Sequence, residues 1–292
     1  MRLDHSVWER LRVKPGDQPG LADRPTSGSR LLGDKTADRD LHGYSAELAS
    51  AQERLYSTGS RALLIVLQGL DAAGKDGTIK HVMSGMNPQG CVVTSFKEPS
   101  KEELAHDFLW RAANRLPPSG YIGIFNRSYY EDVLVVRVHP DRLVPQPDAT
   151  GAPPEDSFWR RRHDDINTFE RHLDRNGTKV VKFFLHLSKD EQRRRLLQRL
   201  DDPTKNWKFS PSDLAERNFW SDYEAVYEDV LTATSTNWGP WFVVPADDKH
   251  VARALVAWVI VRCIEDMALV PDPLTSDQES ALAAARAQLL TE

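Results

Sequence analysis

The 292-residue sequence has few cysteines, no long apolar run and no excess of basic charge. Its two cysteines, Cys91 and Cys263, are too few for a disulfide framework or a structural zinc site, and we expect both to be buried and reduced. The longest wholly apolar run, residues 254–261, is far shorter than the roughly 18 residues that cross a membrane. Residues 1–20 contain no apolar segment typical of a secretory signal, so we expect a cytoplasmic location.

The overall charge of the chain argues against nucleic acid as a binding partner. The chain carries 38 Lys and Arg against 43 Asp and Glu, a formal net charge of −5, whereas nucleic-acid-binding domains are usually basic. Basic residues nevertheless cluster at residues 160–162 and 193–195 and at Lys205 with Lys208. Any one such cluster is more often a solvated helix face than a binding site. We therefore expect neither a nucleic acid nor a membrane as partner.

Apolar patterning predicts an α/β fold. Five short runs rich in β-branched and aromatic residues alternate with helical patterns, which is typical of a parallel sheet covered by helices on both faces. These predicted strands are residues 62–67, 91–95, 121–125, 180–187 and 241–244. Capping-box spacing, at Ser100 with Glu103 and at Ser188 with Glu191, marks the start of two of the helices.

Composition divides the chain into three parts. Residues 1–43 mix glycine, proline and charge without periodicity, which predicts an extended N-terminal arm that wraps the core or a partner subunit. Residues 44–270 hold the alternating pattern and form the main domain, with a proline-rich surface loop over residues 140–154. Residues 271–292 follow this domain and are predicted to contain a helix over about residues 276–290.

A glycine-rich loop follows the first predicted strand. Residues 69–77 read GLDAAGKDG and match the pattern G-x-x-x-x-G-K between an apolar strand and an amphipathic helix. In such a loop the backbone N–H groups wrap a phosphate, the helix points its positive end at it and Lys75 supplies a cation. The candidate phosphate-binding positions are Gly69, Ala72, Ala73, Gly74, Asp76 and Gly77. The alternative is a glycine-rich turn whose lysine is solvated.

The loop departs from the usual pattern at one position. Asp76 stands where serine or threonine normally binds magnesium. Asp71, inside the loop, is the candidate ligand in its place, because a hard cation prefers carboxylate oxygens beside the phosphates. The alternative is that Asp71 only caps the loop through its own backbone.

Three blocks of sequence together resemble the polyphosphate kinase 2 family: residues 69–77, residues 125–137 (FNRSYYEDVLVVR) and residues 202–210 (DPTKNWKFS). The resemblance runs over about residues 41–266. Members of this family transfer a phosphoryl group between inorganic polyphosphate and a nucleotide, using magnesium. The resemblance implies a P-loop kinase fold of three α/β/α layers with a five-stranded parallel sheet, and a helical lid over about residues 193–215. It also implies a homo-oligomer, either a dimer or a tetramer.

The second block follows a predicted strand at the carboxyl edge of the sheet, where open α/β folds bind ligands. Many family members carry an aspartate where this chain has Asn126, so the resemblance implies that Glu131 or Asp132 supplies the charge near the nucleotide and the magnesium ion. The run 130–134 resembles the subgroup often called class III, which is described as accepting both AMP and ADP. The alternative for Glu131 and Asp132 is an acidic first turn of a helix.

Basic residues in and near the second and third blocks are candidate phosphate ligands. Arg127 and Arg137 lie in the second block, and the alternative for both is an ion pair. In phosphate-transfer folds a basic, mobile segment closes over the substrate and excludes water. Arginine grips phosphate bidentately, whereas lysine acts as a point charge. The candidate lid cations, which suit a long polyanion, are Arg195, Arg199, Lys205 and Lys208.

These residues predict magnesium-dependent phosphoryl transfer between inorganic polyphosphate and an adenine or guanine nucleotide. The acceptor is AMP or ADP, and the product is ADP or ATP. The candidate catalytic residues are Asp71, Lys75 and Arg127; the candidate magnesium ligands are Asp71, Glu131 and Asp132; and the candidate nucleotide-binding residues are Asn126, Glu131 and Asp132. An ATP-dependent nucleotide or nucleoside kinase shares the loop but fits Asp76 and the basic lid less well. A nucleotide-sensing protein without turnover would also carry such a loop. A nucleic-acid-processing enzyme fits least, because the net charge is acidic.

Overall fold

Five parallel strands form the centre of the protein in the computed structural model, which describes residues 3–32, 37–143, 155–271 and 273–291. The strand order is β2-β3-β1-β4-β5, and every neighbouring pair is parallel. The strands are β1 (Ala62–Gln68), β2 (Cys91–Ser95), β3 (Ile122–Asn126), β4 (Thr178–His186) and β5 (Trp241–Pro245). The predicted five-stranded parallel sheet is therefore confirmed.

Helices cover both faces of the sheet. The described ranges contain the α-helices α1 (His5–Leu11), α2 (Gly28–Leu32), α3 (Ala37–Thr58), α4 (Lys75–Met83), α5 (Lys101–Leu104), α6 (Trp110–Ala113), α7 (Val135–Val138), α8 (Asp156–Arg175), α9 (Lys189–Asp201), α10 (Pro211–Glu216), α11 (Trp220–Thr234), α12 (Lys249–Glu265) and α13 (Ser276–Leu289). The capping box predicted at Ser100 and Glu103 is complete at the start of α5. Within the described ranges, no helix combines the length and the apolar character needed to cross a membrane.

The two faces of β1 belong to two separate apolar cores. Leu63, Ile65 and Leu67 lie in a core that includes residues of α3, α4 and α12. Leu64 and Val66 lie in a second core that includes residues of α8 and α11. Every residue of β1 is buried, as expected for a central parallel strand covered on both faces. The loop that follows β1 therefore starts from a rigid base at the carboxyl edge of the sheet.

Residues 3–32 pack against the body of the same chain. Helix α1 begins after Asp4, whose side chain accepts two backbone N–H groups of the first turn. Trp8 of α1 packs edge-on against Phe242 of β5, with ring centroids 4.7 Å apart. The sequence analysis did not predict the helices in this part of the chain: α1, α2 and the start of α3 lie within residues 1–43. The N-terminal arm itself stays a prediction.

Two further details differ from the sequence expectations, and a third lies outside the described residues. Cys91 is only half-buried because β2 is an edge strand, whereas Cys263 is buried, and both thiols are free. Ser188 caps α9 as predicted, but the carboxylate of Glu191 pairs with two arginines of the same helix. Most of the predicted proline-rich loop, residues 144–154, lies outside the described residues.

Packing around β3 predicts a cost for any side chain at Gly123. A Cβ atom there would lie 2.8 Å from both Cγ and Cδ of Pro117, and neither strand nor proline ring moves easily. We expect Gly123→Ala to lower the free energy of unfolding by about 1–3 kcal/mol, measured by urea denaturation. Val92→Ala, at a half-exposed position of the edge strand β2, is the control and should shift it by less than about 0.5 kcal/mol. Equal urea midpoints for the two variants would contradict the packing argument.

Candidate active site

The glycine-rich loop joins β1 to α4 and closes on itself tightly. Gly69 has a φ of 156°, and a Cβ atom there would lie 3.1 Å from the backbone oxygen of Leu185 on β4. Gly74, the residue before α4, has a φ of 103°, which side chains rarely tolerate. Ala72 is left-handed at a φ of 61°. Three residues with positive φ in one short loop indicate a backbone shaped for close approach of a ligand.

Lys75, the first residue of α4, folds back over the loop. Its Nζ atom donates hydrogen bonds to the backbone oxygen of Gly69 at 2.5 Å and to that of Leu70 at 3.3 Å. Burial, and then the neighbouring guanidinium of Arg127, lower the pKa of Lys75 to about 8, although nearby carboxylates act in the opposite direction. The ammonium group is therefore poorly compensated, and an anion at the loop would stabilise its charge.

Arg127 connects the loop to the next strand. It follows β3, which pairs directly with β1, and its backbone is left-handed at a φ of 61°. Nη2 lies 3.0 Å from Oδ1 of Asp71 in the loop, and Nη1 lies 3.2 Å from Oε2 of Glu131. One guanidinium group thus joins two of the predicted carboxylates, and three predicted site residues come together at the sheet edge.

A hydrogen bond joins Asn126 to Asp76. Nδ2 of Asn126, the last residue of β3, donates to Oδ1 of Asp76 in α4 at 2.7 Å. The amide therefore gives the Asp76 carboxylate a donor at the carboxyl edge of the sheet.

Arg195 on α9 holds the loop through hydrogen bonds to its backbone oxygens. The side chain is 4% exposed, and all five of its N–H donors face protein oxygens. Nη1 donates to the backbone oxygens of Ala72 and Ala73, each at 3.0 Å, while Nη2 donates to those of Ala246 and Asp247. Nε donates to Glu191 of its own helix. Its donors therefore hold the loop in this structure, and the role of Arg195 as a lid phosphate ligand stays a prediction.

Two of the remaining predicted lid cations pair with carboxylates. Nη1 of Arg199 lies 2.9 Å from Oδ2 of Asp213 and also donates to the backbone oxygen of Lys208 at 3.2 Å. Nζ of Lys205 lies 2.5 Å from Asp202. Burial, then the charge of Asp71, raise the pKa of Asp213, although Arg199 lowers it.

Arg137 and Asp132, two predicted site residues, form their ion pairs with residues outside the loop. Arg137 on α7 forms an ion pair with Asp229 on α11, and its guanidinium lies 5.7 Å from the centre of the Trp159 ring. Asp132 lies 3.7 Å from Arg162, which is buried on α8. Burial raises the pKa of Asp132 to about 6, although Arg162 lowers it. The ion pair of Arg137 with Asp229 corresponds to the alternative given for this residue in the sequence analysis.

The structure adds two residues that the sequence analysis missed. Nε2 of Gln192 on α9 donates to the backbone oxygen of Asp71 at 2.8 Å, and Arg217 beyond α10 donates to Oε1 of Gln192 at 2.6 Å. These bonds tie the loop to the segment that follows the lid. Neither residue belongs to a recognisable motif, and their approach depends on how α9 packs against the loop.

The sequence and the fold of this chain are similar to those of known proteins. Residues 32–270 match the sequence profile of the family Polyphosphate kinase 2 (PPK2). The chain belongs to the polyphosphate kinase 2 family. A relative from Rhodopseudomonas palustris named ADP-polyphosphate phosphotransferase is 48% identical over 97% of this chain and 98% of its own. A relative from Meiothermus ruber named AMP/ADP-polyphosphate phosphotransferase is 44% identical over 87% of this chain and 92% of its own.

A solved structure of the family has the same fold. The crystal structure of Polyphosphate Kinase 2 from Arthrobacter aurescens TC1 superposes with a TM-score of 0.88 at 38% identity. The match covers 100% of this chain and 99% of that one. The predicted P-loop kinase fold is thereby confirmed.

The carboxylates at the loop fit a hard divalent cation. Asp71 and Glu131 lie on two sides of one guanidinium group, and carboxylate oxygens are the ligands that magnesium prefers. Asp132, by contrast, contacts Arg162. Across the described parts of the chain, no group of three or more His, Cys, Asp or Glu side chains is gathered as a metal site. Asp71 and Glu131 are therefore the pair that suits a cation shared with a phosphate.

The lowered pKa of Lys75 predicts a pH dependence of ligand binding. Below pH 8 the ammonium form attracts ADP, and above that pH the free protein loses this charge, whereas the phosphates of ADP are already ionised. We expect the affinity for ADP, measured by calorimetry, to fall roughly tenfold between pH 7.5 and 9. Lys75→Met should bind more weakly at pH 7.5 and show a flat profile over this range. The same slope in both proteins would assign the titration to another group.

Proposed function

We propose that this chain transfers a phosphoryl group between inorganic polyphosphate and a nucleoside mono- or diphosphate, with AMP and ADP as acceptors. The observation that carries this proposal is the convergence of Lys75, Arg127 and two carboxylates on one phosphate loop. The family membership and the names of the two relatives give the substrate class. Both acceptors are included because one relative is named for ADP and the other for AMP and ADP.

The proposed mechanism is in-line transfer without a covalent intermediate. Lys75 and the loop N–H groups hold the phosphates, and Arg127 neutralises the charge that spreads over the transferring group. A general base is unnecessary, because the accepting oxygen of a nucleotide phosphate is already ionised at neutral pH. Asp71 and Glu131 would hold a magnesium ion, which when bound would neutralise charge on the phosphate oxygens.

Exposed cations near the loop support a long polyanion as donor. Arg193 and Arg194 on α9 and Lys205 beyond it are half-exposed or more, and each pairs with an acid three residues away. The exposed pairs of Arg193 with Asp190 and of Lys205 with Asp202 contribute little to stability, so a polyphosphate chain can displace these two acids. ATP carries three phosphates and would reach fewer of these cations.

The assembly and location of the protein are also proposals. We infer a homo-oligomer, a dimer or a tetramer, from the family resemblance, and light scattering after size-exclusion chromatography tests it. A cytoplasmic location fits the two free thiols, since free cysteines persist in reducing compartments.

The direct test is an assay of the purified protein with magnesium and long-chain polyphosphate. ATP formed from ADP is the expected result, and ADP followed by ATP formed from AMP supports the wider acceptor range. Transfer with ATP as the sole donor would identify an ordinary nucleotide kinase instead. Stoichiometric nucleotide binding without transfer would identify a nucleotide sensor.

The carboxylate pair at the loop predicts two impaired variants. Asp71→Asn and Glu131→Gln each remove one negative charge beside Arg127 while preserving side-chain shape. We expect each to lower kcat/KM at least 100-fold and to raise the magnesium concentration that gives half-maximal rate. Glu265→Gln, at the exposed end of α12, is the charge-matched control and should leave both quantities unchanged. Wild-type rates in Asp71→Asn would overturn the assignment.

A further inference from the structure

A fully buried ion pair lies beside the residues that precede Glu131. Lys182 on β4 and Glu170 on α8 are each 0% exposed, and Nζ lies 2.5 Å from Oε2. The ammonium group also donates to the backbone oxygen of Thr234 at 2.7 Å and to the hydroxyl of Tyr130 at 2.9 Å. Its three hydrogens therefore each have an acceptor.

Two tyrosines connect this ion pair to the active site. The hydroxyls of Tyr129 and Tyr130 each donate to Oε1 of Glu170 at 2.9 Å, and both side chains are 0% exposed. These tyrosines are the first two residues of a 3-10 helix, Tyr129–Asp132, and Glu131 is its third residue. Because the helix has a single turn, fixing its first two side chains leaves the third little freedom.

Ser128, the N-cap residue directly before Tyr129, also holds the start of this 3-10 helix through buried groups. Oγ of Ser128, which is 0% exposed, accepts the backbone N–H of Tyr130 and a hydrogen bond from Nε2 of Gln68 at the end of β1. The helix is thus attached to β1, to β4 and to α8. The side chain of Glu131 leaves this frame to reach Arg127 at 3.2 Å.

The buried pair is an unusual way to fill a core. Removing two charges from water is costly, and replacing a buried pair with apolar side chains of similar size is often neutral or stabilising. The surrounding backbone also conforms to it, because a Cβ atom at Gly239 would lie 2.5 Å from Oε2 of Glu170. A contribution to stability therefore explains the presence of the pair poorly. Its hydrogen bonds to both tyrosines offer a more specific explanation.

We propose that Lys182 and Glu170 are positioning residues for the phosphoryl transfer. They fix Tyr129 and Tyr130, which set the place of Glu131 and through it the guanidinium of Arg127. Neither residue has a hydrogen bond to the phosphate loop, so they act through the 3-10 helix. This inference rests on the proposed function.

The principal test removes the link and keeps the ion pair. Tyr129→Phe with Tyr130→Phe preserves both rings and deletes the two hydroxyls that contact Glu170. We expect kcat to fall about tenfold, with the KM for ADP nearly unchanged because Lys75 and the loop are intact. The magnesium concentration for half-maximal rate should rise. On a Glu131→Gln background the same two changes should cause no further loss of kcat, because both act through one carboxylate.

A second variant and a matched control guard against a folding defect. Lys182→Met with Glu170→Leu removes both buried charges together, and we expect a similar fall in kcat in a protein that still unfolds cooperatively, with a melting temperature lowered by the hydroxyls that lose Glu170. Lys179→Met with Asp174→Leu changes a more exposed pair, 3.6 Å apart, on the same strand and helix. This control should leave kcat and the magnesium requirement unchanged.

The outcomes separate this inference from the proposed function. A wild-type protein that fails to transfer phosphate from polyphosphate would overturn the function itself. An active wild type with an impaired Glu131→Gln, combined with normal kcat in the double phenylalanine variant, would overturn the positioning role alone. A loss of kcat that adds fully to that of Glu131→Gln would do the same, because the hydroxyls would then act independently of Glu131.

Discussion

The bridge from Arg127 to Asp71 and Glu131 is the interaction on which the rest of the site depends. Because β1 and β3 are neighbours in a parallel sheet, the residues that follow them emerge side by side at one edge. Arg127 uses a left-handed backbone, rare for a residue other than glycine, to reach the loop of Asp71. The same guanidinium restrains Glu131, so a single side chain sets the spacing of the two carboxylates.

Protein groups arrange the charge around this bridge. The guanidinium of Arg127 lies close enough to lower the pKa of Lys75, and carboxylates offset part of this repulsion. Arg195 uses all its donors on protein oxygens, two of them in the loop, so the loop is held in place by protein groups. Such preorganisation is what phosphoryl transfer requires, because the protein does little covalent chemistry and mainly supplies position and charge.

The sequence predicted the sheet and the loop well because both leave local signals. Buried parallel strands are short apolar runs, and the loop is a compact motif. Helix α1 was missed because its seven residues carry little periodicity and its stability comes from Trp8 packing on Phe242. The sequence could not distinguish Arg195 from its two neighbours, because three consecutive arginines look alike until the fold buries one of them. The Lys182–Glu170 pair did leave a signal, a lysine in the middle of the apolar strand β4, but its partner lies on another element.

The most direct test of this account is a crystal structure of the protein with ADP, magnesium and a short polyphosphate. The account predicts phosphate oxygens within hydrogen-bond distance of Nζ of Lys75 and of the guanidinium of Arg127. It also predicts that Arg195 keeps its contacts to the backbone oxygens of Ala72 and Ala73. A phosphate bound away from Lys75 and Arg127, or an Arg195 that leaves the loop to bind phosphate itself, would contradict it.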